Sequence, residues 1–152
     1  MKFITKGSLF LFSIFLLTTV MELKSETKTP INSNVLVSDA WVRAMPPGSM
    51  MTAAFFKITN PTDKTLIIKA ITSDLAGDCS VHRTINENGL NKMIAVDQLQ
   101  ISPHSSIEFA PGGLHVMIMA LKKPLIIGSP FPLMIHFEEG GSVMVNAKVL
   151  KQ

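Results

Sequence analysis

Pro111-Gly112-Gly113-Leu114-His115-Val116-Met117-Ile118-Met119-Ala120 places three turn formers ahead of a short alternating run. In an extended chain, residues two apart point the same way, so His115 and Met117 share a face and Met119 continues it. Working outward, the same pattern of short apolar or alternating runs recurs every eight to twelve residues or so. Strands are expected at Val35–Ala44, Met51–Thr59, Leu66–Ser73, Cys79–Thr84, Asn91–Val96, Ser106–Phe109, Leu114–Ala120, Leu133–Glu138 and Ser142–Leu150. Pro46-Pro47-Gly48, Asn60-Pro61-Thr62-Asp63, Asn86-Glu87-Asn88-Gly89 and Gly140-Gly141 punctuate them with residues that accept turn dihedrals. No window sustains a helical period beyond about two turns. Eight or nine short strands at this spacing predict an all-β, Greek-key β-sandwich.

The 152 residues are 47% hydrophobic and 16% charged, enough for one core and too apolar for a disordered polymer. Lys2, Lys6 and Lys24, opposed there only by Glu22, account for much of the formal +3. From Glu26 onward eleven basic side chains face ten acidic ones, which leaves +1. With arginine only at positions 43 and 83, no electrostatic footprint for nucleic acid exists. Ten Met against one Cys make thioether plentiful and an intramolecular disulfide impossible.

Lys2 and Lys6 precede the apolar run Leu9–Val20, the layout of a secretory signal peptide. The run is shorter than the roughly 20 residues a membrane-spanning helix needs. The expected division is a signal peptide over 1–25, a flexible N-terminal arm over 26–34 and one binding domain over 35–152. Cys79 lies far from the apolar run, so an acylated N-terminal cysteine is not expected. Export places the domain in an oxidising compartment.

No Gly-rich phosphate loop, Gly-x-Ser-x-Gly elbow or His-Glu-x-x-His helix is present, and nothing marks a catalytic Ser, so an enzyme is not expected. Glu138 and Glu139 precede Gly140-Gly141 and read as the acidic tip of a hairpin. His104 falls among turn formers and His136 within an alternating strand, where each reads as structural. His115 and Met117 instead offer an imidazole and a thioether side by side. His82 precedes the Asn86–Gly89 turn and Met93 follows it, so a hairpin brings these two within reach. Met119 reads as core filler. Two imidazoles and two thioethers form a soft, neutral donor set, which selects Cu(I) over Zn(II).

The spacing His82, ten residues, Met93, twenty-one residues, His115, one residue, Met117 resembles the signature of the periplasmic copper chaperones called PCuAC. Chance gives the three later residues from a fixed His about once in ten thousand trials. The resemblance runs from about Ala40-Trp41-Val42-Arg43 through Glu138-Glu139-Gly140-Gly141 to the C-terminus, with Arg83 standing where many members have a further Met. It implies a cupredoxin-like sandwich holding one Cu(I) near its surface. It also implies a periplasmic location and delivery to a copper centre of a haem-copper (cytochrome c) oxidase. The recipient it points to is oxidase subunit II or a thioredoxin-like assembly factor.

Two other readings compete. Cys79-Ser80-Val81-His82 has a spacing found in some blue-copper electron carriers, but no Met follows His82 closely enough to serve as an axial ligand, and a continuous strand would put Cys79 and His82 on opposite faces. A secreted interaction sandwich with no metal is the third.

Overall fold

A computed structural model describes residues 35–151, so the expectations for a signal peptide and an arm lie outside the described residues. The described chain is ten strands and no helix. They are β1 (Leu36–Arg43), β2 (Met51–Asn60), β3 (Leu66–Thr72), β4 (Asp78–Glu87), β5 (Leu90–Ala95), β6 (Leu99–Ile101), β7 (Ser105–Phe109), β8 (Leu114–Met119), β9 (Pro130–Phe137) and β10 (Ser142–Leu150). They hydrogen-bond in the order β5-β4-β8-β2-β1-β10-β9-β3-β6, with β7 also on β2. Strand β2 is the branch point: Met51–Ala54 pair with β8, whereas Phe56–Asn60 pair with β7. β3 packs against β4, so the continuous ladder folds over on itself as a sandwich. The all-β, cupredoxin-like reading is correct; the short strand β6 is an addition to it.

Alternation explains the core. Ala54, Phe56 and Ile58 of β2, Val116 and Ile118 of β8, and Phe131, Leu133 and Ile135 of β9 all turn inward and are buried. Phe56 stacks on Phe109 with ring centroids 4.3 Å apart, and truncating either ring to Ala costs about 3–5 kcal/mol. Asn60 is fully buried, yet its amide donates to the carbonyls of Lys64, Ile101 and Ser102 and its Oδ1 accepts from Thr62. Every polar atom it brings inside is therefore satisfied.

Two irregularities position the outer surface. In β1 the pairing jumps from Ser38 opposite Lys57 to Trp41 opposite Phe55, one residue extra on β1, with Asp39 at φ 54°. This β-bulge lets Val37 and Val42, five residues apart, both lie against core positions of β2, and it turns Trp41 outward over Phe55. Between β4 and β5, Asn88 (φ 53°) and Gly89 (φ 82°) form a two-residue hairpin turn with both φ values positive. Such a turn fixes the register, which runs from Glu87 opposite Leu90 to His82 opposite Ala95.

Candidate metal centre

The antiparallel pairing of β4 and β8 puts His82 directly opposite His115, with Ser80 opposite Met117. Their imidazole centroids are 6.0 Å apart and tilted by 33°. Met117 follows His115 by two residues and shares its face. The Asn88-Gly89 turn sets Met93 opposite Thr84, hence on the face of His82 and diagonal to it. All four residues singled out by spacing therefore meet on one outer face of β5-β4-β8, with Val116 and Ile118 holding the opposite side of β8 in the core.

The four sites differ in wetness. His115 is 6% exposed, Met117 and His82 are half-buried, and Met93 is 60% exposed on the edge strand. A carbonyl only accepts, so the 3.2 Å contact between His115 Nδ1 and the Gly113 carbonyl assigns the proton to Nδ1 and the lone pair of the neutral ring to Nε2. His82 Nε2 lies 3.1 Å from the Ser80 hydroxyl. Its other nitrogen, Nδ1, is buried with no partner. A buried imidazole nitrogen without a hydrogen bond is costly to leave so, and a metal ion is the kind of group that would occupy it. Among the described residues no three His, Cys, Asp or Glu gather as a metal site. The donors here depend on sulfur from methionine.

Behind the imidazoles stands an aromatic wall that the sequence reading missed. Phe55 is 3% exposed yet lies outside the main core. Its ring is 6.4 Å from His115 and 4.4 Å from Trp41, and the Arg43 guanidinium sits 5.4 Å above it. A signal was available: Phe55 and Phe56 are adjacent in a strand and must face opposite sides, so one of them had to lie on the outer face. This wall excludes water from one flank of His115.

The remaining candidates fall elsewhere. Cys79 pairs with Ile118, on the face of β4 opposite His82, and lines a cleft of about 230 Å³ with Ile68 and Ile71. Burial first, and the neighbouring Asp78 carboxylate second, push its thiol up to about 11, so it is a protonated and poor ligand at neutral pH. His104, at φ 52°, pairs with Asp63 at 2.8 Å on the surface. His136 sits in β9 with Nε2 3.0 Å from the Thr72 hydroxyl. Met119 is not core filler: it lies half-buried on the outer face, opposite Met51. Glu138 and Glu139 are exposed at the hairpin, where Glu139 accepts from the Ile67 amide at 3.4 Å.

The family described as LpqE-like matches residues 35–149. The chain is 38% identical over 116 residues to "Putative lipoprotein Lxx21020" of Leifsonia xyli subsp. xyli, covering 76% of this chain and 69% of that one. It is 35% identical over 98 residues to the uncharacterized protein RP573 of Rickettsia prowazekii, spanning only 54% of that protein. The sole cysteine here, Cys79, lies inside β4. Among solved structures, the copper-bound PCuAC domain from PmoF2 superposes with TM-score 0.66 at 21% identity, covering 78% of this chain and 93% of that domain. DR1885 of Deinococcus radiodurans, solved without metal and with Cu(I), gives 0.60 and 0.61 at 30% identity. The apo form covers 78% of this chain and 79% of that one, and the Cu(I) form 74% and 76%. Spanning nearly the whole described domain, these matches show that the chain belongs to the LpqE-like family and shares its fold with PCuAC domains.

Proposed function

We propose that this domain is a Cu(I) metallochaperone whose cargo is held by His82, Met93, His115 and Met117. The observation that carries the reading is the direct opposition of His82 and His115 with the thioether of Met117 beside them. The structural relatives described as copper-bound PCuAC and CuI-DR1885 support it. His115 Nε2 and the unpartnered Nδ1 of His82 supply nitrogen lone pairs, and the two methionines supply sulfur that needs no deprotonation. Neutral donors hold a d10 cation without adding charge to the site. Met93, on an exposed edge, is the donor most open to replacement by an incoming ligand. A recipient offering thiolates outcompetes thioethers by softness, so release proceeds by stepwise exchange.

The site of action under this proposal is the periplasm, reached through the N-terminal signal segment; the lipoprotein name of a relative supports export. The recipient is a copper centre of a haem-copper oxidase, through subunit II or a thioredoxin-like assembly factor. No described helix is long and apolar enough to cross a membrane. Anaerobic competition titration against a Cu(I) chelator tests the binding step. Met93→Leu and Met117→Leu roughly conserve volume, so the fold should persist while affinity falls; unchanged affinity in both rejects the ligand set. Delivery is tested by deleting the gene under low copper with no related chaperone present, where intact oxidase activity rejects that role.

The blue-copper reading has no geometric support, because β4 runs unbroken from Asp78 to Glu87 and puts Cys79 and His82 on opposite faces.

A further inference from the structure

A second group of soft donors lies on β9 and β10, away from the strands that carry the four residues above. Met134 stands directly opposite Met144 in the β9–β10 ladder. His136 follows Met134 by two residues, so it shares that face, while Leu133, Ile135 and Phe137 point into the core. Opposed residues of an antiparallel pair have Cβ atoms about 4.5–5.5 Å apart, within the span of two thioethers meeting at one ion. The Thr72 hydroxyl lies 3.0 Å from His136 Nε2; in the tautomer where it accepts from that nitrogen, it holds the ring and Nδ1 carries the lone pair a metal needs. Met144 is 60% exposed, and a cleft of about 210 Å³ lined by Met134, Met144, Thr72 and Asp74 opens beside it. An opposed pair of methionines on the outer side of a sheet has little packing to gain, since the hydrophobic contribution comes from surface removed from water.

We propose that Met134, Met144 and His136 form a second, weaker site for Cu(I) or another soft monovalent cation, independent of the first. It has one imidazole fewer, and that imidazole, His136, is less buried than His115, so it should fill only after the first site, with an affinity lower by about tenfold or more.

The test is titration of the full chain, labelled with 13C at the methionine methyls, by Ag(I) as a redox-stable d10 probe and then by Cu(I) under anaerobic conditions. The first equivalent should shift the Met93 and Met117 methyls, and the second those of Met134 and Met144 together with the His136 ring. Met134→Leu/Met144→Leu should lose the second equivalent and keep the first. His136→Gln, which spares both methionines, should weaken the second alone. Uptake of the second equivalent at Met50, Met51 or Met119 in place of Met134 and Met144, or no second equivalent at tenfold excess, overturns the proposal. A first equivalent that leaves Met93 and Met117 unmoved rejects the four-residue chaperone site, while the Met134 and Met144 signals still decide this one.

Discussion

The outer face of β4 and β8 and the outer face of β9 and β10 each bring histidine and methionine together, yet they differ in how far water has been removed. On the first, His115 is 6% exposed against the Phe55 ring and His82 Nδ1 is buried without a partner. On the second, Met144 is as exposed as Met93 is on the first, at 60%, and the single imidazole, His136, is only half-buried, with no aromatic ring against it among the described residues. The composition of donors is similar; what separates them is a second imidazole, set opposite the first by strand register, and a dry flank. Desolvation leaves a buried donor little to lose by taking a metal, whereas a wet donor must first give up water.

The largest expected effect is on the drier face. His115→Ala should lower Cu(I) affinity by more than about 100-fold, since losing even an outer partner of a metal ligand costs roughly 10- to 100-fold. His136→Ala should leave the first equivalent unchanged in the same competition titration. Equal losses from the two would erase the distinction drawn above.

Ser80→Ala removes the hydroxyl 3.1 Å from His82 Nε2. The ring loses its orienting contact, and affinity at the first site should drop about tenfold. An unchanged value would mean that packing alone aims the imidazole.

Gly89→Ala tests whether register matters at a distance. Gly89 has φ 82° with open space around it, so a methyl meets nothing and only the backbone is strained. Denaturant unfolding should show a loss of about 1 kcal/mol, with a modest affinity loss as the hairpin carrying Met93 loosens. The second face, carried by other strands, should not respond.

Cys79 lies on neither face. Its thiol ionises near 11 in the folded state against an ordinary value of 9.0, so the folded chain holds the proton more tightly. That contribution is fully present below about pH 9 and is lost as pH rises toward about 11. Cys79→Ser should therefore flatten the decline of stability across that window and leave Cu(I) affinity unaltered. The smallest effect belongs to His104→Gln, which breaks an exposed contact with Asp63 and should change stability by no more than about 0.5 kcal/mol.

Much of this was legible in the sequence because local rules agree with the fold. Asn88-Gly89 is a strong hairpin signal, and once it fixes the register Met93 has to share the face of His82. The two-residue period of Leu114–Met119 set His115 and Met117 on one face of β8, although it left Met119 misread as core filler because that strand is apolar on both sides. Other features depend on long-range contacts. Leu99–Ile101 is three residues long and becomes β6 only by pairing with Leu66–Ile68. Pro130 and Pro132 concealed the start of β9; they are tolerated because the β3 ladder on that side stops at Met134, leaving an edge where a missing amide is harmless. The bulge at Asp39 breaks the period of β1, so the partnership of Trp41 with Phe55 could not be read from alternation.

X-ray absorption at the copper edge, on protein loaded anaerobically with one equivalent of Cu(I), tests the central claim most directly. The account predicts two nitrogen and two thioether sulfur neighbours, with one sulfur lost in Met117→Leu and no change in Cys79→Ser. A copper whose sulfur neighbour disappears in Cys79→Ser, or whose neighbours are unaltered in Met117→Leu, would contradict it.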